Sequence, residues 1–532
     1  MNGTQSPIQK PTTLNELLAY HHAKHARPKQ LNCKVDGRWR GFSSDEIVKH
    51  VRARALGLYQ LGVRKDDHVG LLAENSPEWV MTDYAILANG AAGVPLYITQ
   101  MAQQIDYILK DAGVSVLFVS TKVLFDKVAP IVTQEFIKHV VLFSPFAEGE
   151  KITTIQELER IGAELDKQQP ALYDSLRNEV THEHVATLMY TSGTTGVPKG
   201  VVLTHRNLVS NAIDAGRDFD WQPSTDVVFS FLPLTHIFEK TMINMYLYNG
   251  VPVWFAESVE KLAENLLEVK PTIMSAVPRM LEKVYDRILS KGAELHGGKR
   301  KLFYWALALA KQYDPWVDHS MWYRIRLGIA SALVFSKWRA AIGGCIRFII
   351  SGSAPLHPDL ARVFIAAGLP IVQGYGLTET SPVVTVNRRD RNKLGSTGPP
   401  IDNVEVKIAD DGEILVKGPN VMKGFYNAPE KTAEVFEDGW FKTGDVGYID
   451  RDGFLFITDR KKDLIKKSSG KFVAPGPIES DLRTSRYIEH AAVIGERRKF
   501  AIAILFPKFD NLKAWAKEHK LPHYIPHTLI FY

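Results

Sequence analysis

The 532 residues are 45% hydrophobic and 23% charged, a globular balance at a length that allows roughly two to four folding units. The net charge of +6, from 65 basic and 59 acidic residues, is too slight to indicate nucleic acid and is compatible with an anionic ligand or an anionic membrane surface. Cys33 and Cys345 form neither a CxxC pattern nor a Cys/His cluster, no apolar run approaches the ~18 residues of a spanning helix, and the first residues lack signal-peptide order; a cytoplasmic protein, free or peripheral at a membrane, is expected.

Between residues 12 and 119 the apolar pattern alternates. Helices are predicted over 14–25, 44–61, 77–89 and 101–112, and strands over 68–73, 93–96 and 115–119. Repeated strand–helix units imply a mostly parallel sheet covered by helices, continued more weakly over 124–180. A short apolar run at 185–189 reads as a strand and leads into Tyr-Thr-Ser-Gly-Thr-Thr-Gly-Val-Pro-Lys-Gly at 190–200. This stretch has the composition of a phosphate cradle: glycines let the backbone present N–H groups, the hydroxyls add donors, and Lys199 adds positive charge. Its spacing is not that of the Walker loop, because Gly193 is followed by Pro198 where that pattern requires glycine. A flexible hydrophilic turn is the plain alternative.

A helix is predicted over 207–215 and a strand over 227–232, followed by Leu234-Thr235-His236-Ile237-Phe238-Glu239-Lys240. Residues 285–342 form a helical block holding Trp305, Trp316, Trp322 and Trp338 among many bases. Such a block either meets a membrane surface or buries its tryptophans and exposes its lysines. Further strands are predicted at 346–351, ending in Ser351-Gly352-Ser353-Ala354-Pro355, and at 370–372, leading into Gln373-Gly374-Tyr375-Gly376-Leu377-Thr378-Glu379-Thr380. Three strand-like runs thus end in small, polar, glycine-containing loops, and ligands of open α/β sheets collect beyond such ends. Short strands with turns at 410–412, 437–439 and 450–453 predict a small antiparallel unit, and Asp459-Arg460-Lys461-Lys462-Asp463 is a hinge candidate.

Taken in order, the loop at 190–200, Tyr375-Gly376-Leu377-Thr378-Glu379, Thr443-Gly444-Asp445 and the charged run from Asp459 to Lys466 resemble the signatures of the adenylate-forming superfamily over about residues 14–507. Within it the chain resembles the long-chain fatty acyl-CoA synthetases, through Leu232-Pro233-Leu234-Thr235-His236-Ile237-Phe238-Glu239, the helical insertion, and Asp459-Arg460 where many relatives begin with Gly-Arg. The resemblance implies an α/β fold: a large N-terminal domain of stacked, mostly parallel sheets with helices, over 1–459, with the helical insertion at about 285–342 and a small β unit at about 400–458. A hinge and a small, incomplete α+β C-terminal domain follow over 460–532.

The implied reaction converts a long-chain fatty acid with ATP into an acyl-adenylate and pyrophosphate, after which the thiol of coenzyme A takes the acyl group and AMP leaves. A carboxylate cannot acylate a thiol directly, since oxide would have to depart. By resemblance, Thr191, Ser192, Gly193, Thr194, Thr195, Gly196 and Lys199 hold the β- and γ-phosphates, and Glu379 with the Thr191 hydroxyl binds Mg²⁺. Asp445 holds the ribose; Gly352, Ser353, Ala354, Gly374 and Tyr375 form the adenine slot; Gln373, Gly376, Thr378 and Arg460 complete the nucleotide site. His236 lies near the fatty-acid carboxylate, and with Lys199 and Glu379 makes the catalytic set; Lys466, Gly470 and Lys471 approach coenzyme A. A surface carboxylate, a turn-forming aspartate and a core histidine are the plain alternatives for Glu379, Asp445 and His236.

Relatives carry a lysine in a Gly-Lys motif near the carboxyl terminus, and no Gly-Lys follows Lys471 here, so the end reads as cut short. Two other readings therefore stand beside the ligase: an impaired acyl-adenylate or fatty-acid binding form, and an acyl-AMP ligase that loads a carrier protein. A serine hydrolase is not indicated, since the chain has no G-x-S-x-G elbow.

Overall fold

The computed structural model describes residues 9–192, 197–467, 472–496 and 498–519. Two eight-stranded sheets carry most of it. The first runs in the spatial order Val383–Val386, Ile371–Gly376, Phe348–Ser351, Ile273–Ala276, Val228–Ser230, Val253–Phe255, Leu31–Val35, Arg38–Phe42, and only its two outermost pairings are antiparallel. The second runs Gly424–Phe425, Pro198–Thr204, Val185–Ser192, Ala92–Pro95, His68–Leu72, Val116–Val119, His139–Leu142, Ile152–Thr154 and is parallel from Val185–Ser192 onward. Strands such as Val116–Val119 are apolar and buried at every position, as a parallel strand covered on both faces must be.

One hydrophobic core joins residues of both sheets to the helices Pro77–Ala88, His205–Gly216 and Ile237–Tyr248. Pro77–Ala88 is buried at all of its twelve positions but Glu78. Its start is fixed by Ser76, whose hydroxyl accepts from the Trp79 N–H at 3.2 Å, and by Pro77 in the first turn, where no N–H is required. Ile237–Tyr248 packs nearby, and Tyr84 donates to Asn244 Oδ1 at 2.9 Å. The buried Asp83 and Lys240 pair between the two helices, with the ammonium 5.2 Å from the Trp79 ring. Removing either charge would strand the other, at a cost of about 3–5 kcal/mol.

The predicted strand at 185–189 extends to Ser192 and is the first arm of a hairpin whose second arm, Pro198–Thr204, takes in Lys199 and Gly200. The phosphate-loop composition therefore extends into a strand, because Val201, Val202 and Leu203 have a partner strand to pair with. A second hairpin, Leu31–Val35 with Arg38–Phe42, turns through Asp36-Gly37 with φ of 48° and 73°. Those left-handed values suit a two-residue turn of the primed type, and Asp-Gly is its usual sequence.

The helical block begins at Pro278 and consists of Pro278–Ala293, Gly297–Ala310, Met321–Ala330, a π-helical turn Ser331–Phe335 and Ser336–Ala340. It has a core of its own around Phe303, Leu307, Phe335 and Trp338. The small sheet is antiparallel and built from Glu405–Ile408, Glu413–Lys417, Trp440–Ile449, Phe436–Glu437 and Leu455–Arg460. Beyond it a smaller α+β unit contains the helices Pro475–Arg483 and Phe509–Glu518 and the strand pair Ile488–Ile494 with Ile502–Pro507. Among the described residues no helix is long and apolar enough to cross a membrane.

Candidate active site

A cavity of about 710 Å³ opens where the C-terminal ends of Phe348–Ser351 and Ile371–Gly376 meet the hairpin, the start of helix Ile237–Tyr248, the small sheet and Arg460. Parallel strands leave their last N–H and C=O groups at that edge, and the loops that follow can carry side chains freely. The wall includes Thr191, Lys199, His236, Gly352, Ser353, Gly374, Tyr375, Gly376, Thr378, Glu379, Asp445 and Arg460. Residues distant in sequence are thereby gathered at one place.

The polar end is tied together by short contacts. Tyr375 donates its hydroxyl to Asp445 Oδ2 at 2.7 Å, and Arg460 Nε lies 3.4 Å from Asp445 Oδ1. Asp445 and Arg460 face each other across two strands of the small sheet. The Asp445 N–H donates to Thr443 Oγ1 at 3.1 Å, which fixes the turn that aims the carboxylate inward. Burial raises the Asp445 carboxyl above the ordinary aspartate range, while the Tyr375 hydroxyl and Arg460 pull the other way. Burial and the neighbouring carboxylate push the Tyr375 hydroxyl well up, so it remains a donor.

Thr191 and Lys199 are directly opposed across the hairpin, and the Lys199 ammonium lies 5.3 Å from the Phe425 ring. Burial pushes Glu379 up, partly offset by Arg460 and Lys199. A carboxylate so placed gains from added positive charge. Lys461 is committed to the small sheet, at 2.6 Å from Asp411 and 2.7 Å from Glu413. Gly376 is the tightest backbone approach on the wall: a Cβ there would fall 1.6 Å from the Pro382 carbonyl oxygen.

The other end is apolar. Phe238, Met242 and Met245 share one face of helix Ile237–Tyr248 and meet Phe219, Ile350, Val383 and Val386. His236 stands at the start of that helix, its Nδ1 accepting from the Phe238 N–H at 3.1 Å, which leaves the ring proton on Nε2. Burial lowers its pKa and keeps the ring neutral.

Two of the expected nucleotide residues do not line this cavity. Ala354 is exposed beyond Ser353, and Gln373 sits one residue short of the wall, paired with Ser351, its carbonyl accepting from the Asn387 N–H. Both are removed from the cavity by the strand ends, which open the wall at Gly352–Ser353 and Gly374. Lys466 does not line the cavity; its N–H donates to Glu496 at 2.9 Å. The Ser192 side chain, Gly193, Thr194, Thr195, Gly196, Gly470 and Lys471 lie outside the described residues. Phe219, Met242, Met245, Val383, Val386 and Phe425 also line the wall, and nothing in the sequence marks them, because their apolar pattern is also that of a buried core.

A family model described as AMP-binding enzyme matches residues 21–426, and another, AMP-binding enzyme C-terminal domain, matches 462–527. The chain is 36% identical over 493 residues to a protein named long-chain-fatty-acid–CoA ligase FadD15 from Mycobacterium bovis, covering 91% of this chain and 80% of that one. It is 34% identical to fatty acyl-CoA synthetase A of Dictyostelium discoideum, covering 86% and 71%. A solved Mycobacterium tuberculosis fatty acyl CoA synthetase shares the fold at a TM-score of 0.67 and 24% identity, covering 96% of this chain and 92% of that one. The anthranilate CoA ligase AuaEII in complex with anthranoyl-AMP does so at 0.71 and 21%, covering 98% and 93%. The architecture is that of an adenylate-forming enzyme, two sheets and a small β unit around one cavity, with a smaller C-terminal unit beyond Arg460. The chain belongs to the AMP-binding enzyme family.

Proposed function

We propose that the chain is an ATP-dependent long-chain fatty acid:coenzyme A ligase that works through an acyl-adenylate. The observation that carries this is the joining, in one cavity, of a polar end built on Tyr375, Asp445, Arg460, Lys199 and Glu379 to an apolar end built on Phe238, Met242 and Met245. An acid with a long hydrocarbon tail and a nucleotide have opposite needs, and this cavity offers both side by side. The relatives' names carry the same acid class and acceptor.

In this reading Thr191 and Lys199 take the terminal phosphates, and Lys199 offsets charge as pyrophosphate separates. Asp445 accepts from the ribose hydroxyls, Tyr375 holds it for that purpose, and Arg460 balances its charge. Gly352, Ser353, Gly374 and the Tyr375 ring flank the adenine. Neutral His236 holds a proton on Nε2, a donor toward the acid's carboxyl at the entry to the apolar end. Excluding water there protects the adenylate until a thiol arrives.

Glu379 and the Thr191 hydroxyl suit a hard divalent ion, Mg²⁺, since both offer oxygen and Glu379 gains from positive charge. The described residues hold no group of three or more His, Cys, Asp or Glu side chains that could bind a metal alone, so substrate phosphates and water would complete the shell. When bound, the ion supplies charge neutralisation at the phosphates. We divide the chain into a body over 1–459 and a hinged unit over 460–532 in which the bases Lys466 and Lys471, with Gly470 between them, serve coenzyme A. Free Cys33 and Cys345 suit a reducing, cytoplasmic setting.

The test is acid-dependent exchange of labelled pyrophosphate into ATP, with acyl-CoA formation measured in parallel, across acids from octanoate to stearate. The expected result is exchange with the longer acids and acyl transfer to coenzyme A in preference to a carrier protein. Absence of exchange with every acid would overturn the reading.

A further inference from the structure

We propose that the outer face of the helical block, along Met321–Ala330 and the π-helical turn Ser331–Phe335, docks flat on an anionic phospholipid bilayer. The run is apolar on two sides. Its inner side places Ala330, Val334, Phe335 and Trp338 in the block's own core. Its outer side leaves Met321 79%, Trp322 75%, Ile325 44%, Ile329 47% and Leu333 50% exposed. The positions 321, 325, 329 and 333 recur every fourth residue and form one stripe, with Trp322 beside its first member. A helix with apolar residues on two opposite sides ordinarily has both covered, and nothing in the described chain covers this one.

Charge identifies the occupant. Arg324 lies on one flank of the stripe and Arg326 and Lys337 on the other, all exposed. Residues 297–345 carry eight bases and two acids, and that surplus equals the entire net charge of the chain, +6. The two acids are Asp314 and Asp318; Asp318 lies 3.3 Å from Arg324 and Asp314 3.9 Å from Arg362. The neighbouring helix Gly297–Ala310 adds Lys299, Arg300 and Lys301, with the Arg300 guanidinium 5.8 Å from the ring of half-exposed Tyr304. An apolar stripe on a convex helix, bases on both flanks and a tryptophan at its end match the layering of a bilayer surface: acyl chains below, anionic headgroups at the level of the bases. A groove-binding peptide would need a concave face, and a single convex helix supplies none. The inference does not depend on the ligase reading, because vesicle binding is measured without turnover.

Sedimentation of the full chain with vesicles of phosphatidylcholine, alone or with about a third phosphatidylglycerol, tests it. The expected result is binding to the anionic vesicles only, weakened by salt, and about tenfold weaker in both Ile325→Ser/Ile329→Ser and Arg324→Glu/Arg326→Glu. Brominated lipid should quench tryptophan emission, and Trp322→Phe should abolish most of that quenching. Equal binding to uncharged vesicles, wild-type binding by either double variant at an unchanged melting temperature, or no binding at all would overturn it. So would a dimer in solution that Ile325→Ser/Ile329→Ser dissociates, since a second copy would then be the occupant. The charge-reversal pair keeps the test decisive if the serine pair fails to fold.

Discussion

The two ends of the cavity are made by different means. The polar end is a set of single side chains gathered from different elements, with Asp445 held by directional contacts from Tyr375 and Arg460 at 2.7 and 3.4 Å. The apolar end is a surface, one face of helix Ile237–Tyr248 against Ile350, Val383 and Val386, with no directional bond between its members. Directional contacts act on charge that changes during a reaction; surfaces act on shape and area. Changes at the polar end should therefore act on nucleotide and rate, and changes at the apolar end on choice of acid.

The largest effect is expected at Glu379. Glu379→Gln keeps the shape and removes the charge, and should lower pyrophosphate exchange about 10²–10³-fold while leaving the Michaelis constant for palmitate within about twofold. Exchange at the wild-type rate would remove Glu379 from the site. A loss confined to palmitate affinity would erase the distinction between the ends.

Next comes a carboxyl hidden behind the apolar end. Glu239, one residue after Phe238, is fully buried and accepts from Ser230, and burial raises its pKa to about 7. A carboxyl whose folded pKa is raised contributes stability that is complete below about 4.5 and is lost as pH rises through about 7. Full loss corresponds to about 3 kcal/mol. His21 and His205, lowered to about 4 and about 3 by burial, act with the opposite sense, losing stability as pH falls below 6.5. The difference between wild type and Glu239→Gln isolates the glutamate: the variant's advantage in denaturant midpoint should be least at pH 5 and greatest at pH 8. Parallel curves would mean that Glu239 ionises as an ordinary carboxyl.

Asp445→Ala sharpens the comparison from the nucleotide side. It should raise the Michaelis constant for ATP about tenfold, near the lower value of one charge-assisted hydrogen bond, and leave that for the acid unchanged. An unchanged constant for ATP would return Asp445 to a turn-forming role.

The same contrast explains what could be read from the sequence. Lys199, Tyr375, Glu379, Asp445 and Arg460 stood out because the glycine-, hydroxyl- and charge-rich motifs that carry them resemble, in their order, those of the adenylate-forming superfamily, and all five line the cavity. The parallel strands were legible for a different reason: burial on both faces makes Val116–Val119 apolar throughout. Met242, Met245 and Val386 did not stand out, since a tunnel wall and a core present the same periodicity and only the fold separates them. The hairpin turn at Asp36-Gly37 carried a readable signal that the helix–strand alternation around it concealed. Ala354 and Gln373, expected at the nucleotide from the same resemblance, lie just off the wall that their neighbours Ser353 and Gly374 line, a difference of one residue that only the strand ends decide.

The smallest effect tests the apolar end without touching its lining. Gly216 closes helix His205–Gly216 directly behind Met245: a Cβ there would lie 2.9 Å from Met245 Cγ and 3.2 Å from its sulfur. Methionine is flexible enough to yield, and the cavity in front of it is the space open to it. Gly216→Ala should therefore shorten the apolar end, lowering kcat/KM for stearate relative to dodecanoate by about threefold, a small part of what one methylene is worth in a fitted pocket. The Michaelis constant for ATP should not move. If the ratio holds while the melting temperature falls, Met245 is part of the core alone, and chain length is set elsewhere along the wall.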